Sequence, residues 1–170
     1  MVRPTISALR VAVAVFMFLG VASSFAKDGQ PIEIAVAQFY FVDTSGEVED
    51  QKARHENQLR QFETELQKTL SADNRLEIAA LPCGSDRCSL ENPGIDTLRR
   101  QAKTANARYL LAGGIQKMST LVGWAKITVF DLEDSNRVCD RLFTYRGDTE
   151  EAWRRAAEFG AKNVIKACFP

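Results

Sequence analysis

Residues 32–41 read IEIAVAQFYF, and this stretch decides the class of fold. It is almost continuously apolar and rich in strand-forming residues, which is typical of a strand buried on both faces of a sheet. The turn residues 43–46 (DTSG) end it. A helical pattern then follows over residues 54–72, where apolar residues recur at spacings of three or four: Leu59, Phe62, Leu66 and Leu70.

Strand and helix patterns continue to alternate along the rest of the chain. The predicted elements are strand 75–81, helix 95–107, strands 109–118, 121–132 and 138–146, and a last helix that begins at the capping box 148–151 (DTEE) with Asp148 as its cap. The order is therefore β-α-β-α-β-β-β-α. Helical crossovers imply parallel pairing of the first three strands, and a short polar turn implies an antiparallel hairpin for the last two. We predict an α/β (α+β) fold with helices packed on a mixed five-stranded sheet.

Residues 1–26 have the three-part order of a secretory signal peptide. Two arginines come first, an uncharged apolar run follows over residues 11–22, and residues 24–26 (SFA) place small residues at the two positions that a signal peptidase reads. The apolar run is shorter than the roughly 20 residues of a membrane-spanning helix. We therefore predict cleavage after Ala26, a single globular domain over residues 27–170, and a periplasmic or secreted location without a stable membrane anchor.

The predicted mature chain has the size of one domain and is almost neutral. Cleavage leaves 144 of the 170 residues, which is enough to bury a substantial core. The leader carries two of the 22 basic residues and none of the 22 acidic ones, so the mature net charge is −2. A chain of this charge has little electrostatic attraction to nucleic acid or to an anionic membrane. We expect no nucleic-acid partner.

The mature chain contains four cysteines: Cys83, Cys88, Cys139 and Cys168. An even number of cysteines in an exported protein indicates disulfides. Zinc binding is the alternative, but zinc sites favour two close pairs and only one pair here is local. We therefore predict disulfides and expect neither a metal nor another cofactor.

The expected pairs are Cys83 with Cys88 and Cys139 with Cys168. The first pair closes a short polar loop that contains Gly84. For the second, the last strand travels about 23 Å from Cys139 and the last helix returns about 28 Å, which brings Cys168 back to the sheet. The alternative for this second pair is two free, buried thiols.

Four segments in order carry a resemblance to a known family: IAVAQFYFVDTS, RLEIAALP, ANARYLLAGGIQK and WAKITVFDLEDSNRV. They resemble the N-terminal domain of TolB and the related domains of envelope assembly lipoproteins such as CsgG and FlgO, over about residues 32–147. The chain also resembles small secreted bacterial proteins of unknown function. The resemblance implies an exported protein-binding module. The chain departs from it by lacking a lipobox cysteine and a β-propeller.

The sequence carries no catalytic constellation. Its one histidine, His55, starts a charged helix, and no G-x-S-x-G motif accompanies it. Thiol oxidoreductases use C-x-x-C at a helix start, whereas Cys83 and Cys88 are separated by four residues in a loop. Gly113 and Gly114 belong to no phosphate-binding motif, and paired glycines in a strand more often mark a bulge or a close helix-to-strand approach.

One group of residues has the composition of a binding surface: Trp124, Lys126, Tyr145, Arg146 and Trp153. Trp124 and Lys126 share a strand face, Tyr145 and Arg146 end the neighbouring strand, and Trp153 follows one turn into the last helix. Aromatic residues and arginine are enriched at binding hot spots. The alternative is that both tryptophans pack in the core.

The function that these observations favour is an exported, non-enzymatic module that binds another cell-envelope protein. One alternative is a protein that binds a small ligand or peptide in a cleft at the edge of the sheet. The other is a thiol-disulfide oxidoreductase. The sequence leaves the oligomeric state open.

Overall fold

The computed structural model describes residues 30–84 and 87–169. In this part of the chain three helices pack on one mixed, open, six-stranded sheet, which confirms the predicted fold class. The strands are β1 Ile32–Val36, β2 Tyr40–Asp43, β3 Leu76–Ala79, β4 Tyr109–Ser119, β5 Val122–Asp131 and β6 Arg137–Arg146. The helices are α1 Lys52–Ser71, α2 Ile95–Thr104 and α3 Glu150–Cys168. The predicted signal peptide lies outside the described residues.

The sheet runs in the order β3-β1-β4-β5-β6, and β2 continues β1 alongside β4. β1 pairs in parallel with β3 and β4, and β2 pairs in parallel with β4. β4, β5 and β6 form an antiparallel meander. The parallel and antiparallel halves are those that the crossovers and the polar turn predict.

The predicted first strand, residues 32–41, is divided into β1 and β2 by a bulge. Val36 pairs with Leu111 and Tyr40 pairs with Gly114, so this side carries one residue more than β4 does. Inside the bulge the Phe39 N–H donates to Glu63 Oε1 at 2.7 Å instead of joining the sheet. The sheet therefore has six strands where the sequence predicts five, because a side chain replaces one ladder partner.

Two cores lie on opposite faces of the sheet. On one face, α1 and α3 pack over residues such as Ile34, Leu111 and Ile127. On the other face, the shorter α2 packs over small residues of β1 and β4, among them Ala35 and Ala112. Because α2 has only ten residues, it does not extend over β5 and β6 on this face. No described helix covers this face of β5 and β6 at the end of the meander where the turn between β4 and β5 lies.

Paired glycines in the middle of β4 allow two aromatic rings to lie directly on the sheet. A Cβ at Gly113 would lie 2.6 Å from the Phe39 ring, and a Cβ at Gly114 would overlap the Tyr40 ring. Consecutive strand residues face opposite sides, so one glycine serves each face. The groups that approach the two glycines are thus aromatic rings from the β1–β2 segment, and not a helix as the sequence suggests.

Two disulfides tie the ends of elements to the body of the domain. Cys139 of β6 is bonded to Cys168 at the end of α3, with Cα atoms 5.7 Å apart. Cys83 is bonded to Cys88 across the loop before α2, with Cα atoms 5.8 Å apart. These are the two pairs named above. None of the described helices is long and apolar enough to cross a membrane.

Candidate binding surface

The outer surface of β5 and β6 exposes large apolar side chains next to basic ones. We call it the open face, and it consists of Trp124, Lys126, Leu142, Thr144 and Arg146. The register places Lys126 opposite Leu142 and Trp124 opposite Thr144. The side chain of Trp124 is 39% exposed and that of Leu142 is 63% exposed. Trp124 and Leu142 are therefore diagonal neighbours in the register, and both expose apolar surface on the same side of the sheet.

The charge on this side of the meander is positive. Lys126 and Arg146 are exposed within the open face, and Arg137 lies at the start of β6. Asp140, on the same face of β6, already pairs with Arg137 Nη1 at 2.7 Å and accepts from the Thr128 hydroxyl at 2.6 Å. The open face therefore keeps an excess of positive charge that no described carboxylate neutralises.

Of the five residues predicted for this surface, Trp153 lies in the core and Tyr145 is partly buried at the margin of that core. Trp153 is 1% exposed, and the Tyr145 ring packs against it with centroids 5.9 Å apart. Tyr145 points away from the open face because strand residues alternate, and it fills the space above Gly123. Trp153 belongs to the apolar stripe with which α3 faces the sheet. Trp124, Lys126 and Arg146 are the predicted residues that remain exposed.

Leu142 and Thr144 belong to the same surface and were not predicted. Their signal in the sequence is the alternation along β6, whose residues 140, 142, 144 and 146 share one face. This alternation shows which residues share a face but not which face the helices cover.

Beneath α3 lies a buried ionic cluster centred on Asp148. Its Oδ2 atom accepts from Arg54 Nη2 at 2.9 Å and Lys117 Nζ at 2.9 Å, and it lies 3.0 Å from His55 Nε2. The Trp153 Nε1–H donates to Oδ1 at 3.1 Å. The N-cap of α3 is consequently Thr149, whose hydroxyl accepts from the Ala152 N–H. The predicted cap at Asp148 is wrong, because its carboxylate is held by side chains of β4 and α1.

The electrostatics of this cluster favour its ion pairs. Burial by itself raises the pKa of Asp148, but hydrogen bonds from Lys117, His55 and Trp153 outweigh burial and lower it. Burial also lowers the pKa of Lys117, and its bonds to Asp148 and Glu47 more than compensate, so that its pKa is raised. Both groups are therefore charged at neutral pH and hold β4, α1 and α3 together.

A second buried carboxylate, Glu63 of α1, sits at the bulge between β1 and β2. It accepts from the Phe39 N–H and from Arg87 Nη2 at 2.6 Å. Burial raises the pKa of Glu63, and the two donors offset only part of the effect. Because Arg87 precedes Cys88, the Cys83–Cys88 disulfide holds the loop from which Arg87 reaches this carboxylate.

A cleft of about 810 Å³ lies beside the N-terminal half of α1. Its lining includes six carboxylates: Asp43, Glu47, Glu49, Asp50, Glu56 and Glu91. His55 lies at its inner wall and is 2% exposed. The sequence places the alternative, a small ligand or peptide, in a cleft at the edge of the sheet, and this cleft beside α1 is at another place; small-ligand binding stays a prediction.

The described residues contain no group of three or more His, Cys, Asp and Glu side chains placed to hold a metal ion. Cys88 is buried with its sulfur in the disulfide, and no helix begins at this pair. A nucleophilic thiolate needs an accessible, activated sulfur, as at the start of a helix. The thiol-disulfide oxidoreductase alternative for the Cys83–Cys88 pair stays a prediction.

An open mixed sheet with helices on both sides defines a small α/β domain in which one face of β5 and β6 is covered by α3 and the other carries the exposed Trp124 and Leu142. The chain belongs to the family described as protein of unknown function (DUF2380), whose model matches residues 32–165. A comparison with curated proteins finds no match.

Solved structures share this fold at low sequence identity. The PelC dodecamer from Paraburkholderia phytofirmans is 15% identical, with a TM-score of 0.53 over 82% of this chain and 89% of that chain. TolB from Acinetobacter baumannii is 12% identical, with a TM-score of 0.51 over 82% of this chain and 29% of TolB. These identities show the fold alone, and they confirm the resemblance to TolB drawn from the sequence.

Proposed function

We propose that this protein is an exported, non-enzymatic module that binds another protein of the cell envelope through the open face. The observation that carries the proposal is Trp124, an exposed tryptophan beside Leu142 on a sheet surface that no described helix covers. Burial of side chains of this size contributes about 1.5–3 kcal/mol each. Tryptophan and arginine are also the residues most enriched among binding hot spots.

Two observations support an envelope location. The domain has two disulfides, and disulfides persist in oxidising compartments such as the periplasm. The solved structures that share its fold include the envelope proteins PelC and TolB. The predicted leader agrees with both. Mass spectrometry of the protein made with its own leader should find a chain that begins at Lys27, and an intact Met1 in the membrane fraction would contradict export.

Affinity capture from an envelope extract tests the binding function. The bait is the exported wild-type chain, and the variant is Trp124→Ala with Arg146→Ala. Both side chains are exposed, so the variant should keep the circular dichroism of the wild type and lose the captured partner. A matched control is Val48→Ala with Arg100→Ala, which also removes one exposed apolar and one exposed arginine side chain, but away from the open face.

The control separates loss of the surface from a general loss of charge and apolar area. Capture by the control but not by the variant supports the proposal. Equal capture by both shows that the partner binds elsewhere. If the wild-type chain captures no envelope protein at all, the proposed function is wrong.

A further inference from the structure

Strand β6 is the edge of the sheet, and its outer edge has no strand partner among the described residues. Ten residues long, it spans about 33 Å. It contains no proline, and the register shift against β5 lies at its start, between Arg137 and Cys139, so that the rest of β6 is regular. Proteins that protect an edge usually shorten it, bend it or cover it. An uncovered edge of this length is a template for an added strand.

The hydrogen-bond pattern shows which backbone groups of β6 are free. The Gly147 N–H donates to the Leu121 carbonyl at 2.9 Å, which fixes the alternation of the antiparallel ladder. Counting back along the register, residues 143 and 145 bond to β5, whereas Leu142, Thr144 and Arg146 direct their N–H and C=O groups away from it. The residues of the open face are thus the ones whose backbone is available at the edge.

A groove of about 320 Å³ runs beside this edge, between β6 and α3. Phe143 and Phe159 form its apolar wall, with ring centroids 5.2 Å apart, and Phe159 is 53% exposed. Arg146 and Arg155 also line it, and both are exposed. A strand added to β6 would direct alternate side chains into this groove and the others over the open face.

We infer that the partner of this protein adds a strand to β6, and that this strand alternates acidic and apolar residues. The inference rests on the proposed function and deepens it by naming the chemistry of the partner. Acidic side chains would meet Lys126 and Arg146 on the open face, where Asp140 is already engaged. Apolar side chains would pack against Phe143 and Phe159 in the groove.

The test uses the exported chain and a fluorescein-labelled ten-residue peptide of alternating Glu and Val. Two peptides serve as controls: one alternates Lys and Val, and one is the Glu/Val peptide with alternate amide nitrogens methylated so that it cannot pair. The Glu/Val peptide should bind at least about tenfold more tightly than either control, since each control removes the charge attraction or the backbone bonds. Bound peptide should slow hydrogen exchange at Leu142, Thr144 and Arg146.

A variant of β6 separates strand addition from mere contact with the face. Thr144→Pro removes an N–H that points away from β5, and proline is tolerated at such edge positions. It should weaken peptide binding about tenfold, whereas Thr144→Val, which keeps the N–H, should bind like the wild type. If Thr144→Pro fails to fold, hydrogen exchange in the wild-type complex decides the question without it.

Several results would overturn the inference. Equal affinity for the methylated peptide, or no protection at Leu142, Thr144 and Arg146, excludes strand addition, and equal affinity for the Lys/Val peptide excludes an acidic partner. PelC is a dodecamer, so the chain alone should also be examined by light scattering; an oligomer with a protected β6 would make a second copy the occupant. If envelope capture depends on Trp124 and Arg146 but not on the edge N–H of Thr144, the inference fails and the proposed function stands.

Discussion

Asp148→Ala should be among the most destabilising single changes in this domain. The carboxylate stands between β6 and α3 and bonds to Arg54, Lys117 and Trp153, with His55 in contact. Lys117 is the partner that matters most, because it is 3% exposed and cannot recover solvation by moving outward. The variant leaves a buried ammonium group with its bonds to Glu47 and Gln51 only.

The magnitude follows from the burial of Lys117. Removal of one partner from a buried ion pair costs about 3–5 kcal/mol. Because Lys117 keeps its ion pair with Glu47, we expect Asp148→Ala to lose about 3 kcal/mol of stability, near the lower end of this range. A loss of this size is a large part of the 5–15 kcal/mol of a typical domain and lowers Tm by roughly 10 °C. Asp148→Asn, which retains a carbonyl acceptor, should lose less.

Urea unfolding of the exported chain, followed by circular dichroism between pH 3 and 7, measures both the loss and its pH dependence. The folded-state pKa of Asp148 lies below its ordinary value of 3.8. The stability that it contributes is therefore fully present above pH 3.8 and is lost as the pH falls through the folded-state pKa. The difference between wild type and Asp148→Ala should be constant from pH 5 to 7 and should shrink below pH 3.8.

Glu151→Ala is the matched control, because Glu151 pairs with Arg154 on the exposed surface of α3. Exposed pairs contribute little, so this variant should remain close to the wild type. A loss below about 1 kcal/mol for Asp148→Ala would refute the reasoning, since it would place Lys117 in a solvated site rather than a buried one.

Two further predictions concern the packing and the covalent frame. Gly113→Ala should destabilise the domain by about 2–3 kcal/mol, because a Cβ there overlaps the Lys126 carbonyl of β5 and lies 2.6 Å from the Phe39 ring. Denaturant unfolding measures the loss of stability, and a neutral result would mean that β5 and the Phe39 ring move away from β4 at no cost. Replacement of Cys139 and Cys168 together by Ser should lower the free energy of unfolding by about 3–4 kcal/mol, because the disulfide closes a sequence separation of 29 residues. The far-ultraviolet circular dichroism spectrum should not change. Stability equal to that of the wild type in non-reducing buffer would show that α3 keeps its position without the disulfide.

Much of the fold could be predicted because its main signals are local. Hydrophobic periodicity located each of the helices in the described part of the chain, and the helical crossovers between strands determined which pairs are parallel. The break between β1 and β2 could not be predicted in this way. It depends on Glu63, which is 24 residues away in the chain and becomes a partner of the Phe39 N–H only when α1 packs on the sheet.

Part of the candidate site could also be predicted, because part of its signal is local. Period-two alternation placed Trp124 and Lys126 on one strand face, and both are exposed. Composition grouped Tyr145 and Trp153 with them, although both rings are on the other side of the sheet, where Trp153 is buried and the partly buried Tyr145 packs against it. An aromatic residue has the same composition signal whether it is buried or exposed, so composition alone does not distinguish a binding surface from a core.

The sequence by itself therefore determined the order and type of the elements, apart from the division between β1 and β2, and which residues share a strand or helix face. These features depend on neighbours a few positions apart in the chain. The tertiary structure alone decided which face α1 and α3 cover, which face stays open beside the β6 edge, and that Asp148 joins a buried ion cluster instead of capping α3. These features depend on contacts between residues distant in the chain, such as Lys117 with Asp148 and His55 with Asp148. Contacts of this kind form only when helices and sheet pack together, and no local pattern of residues encodes them.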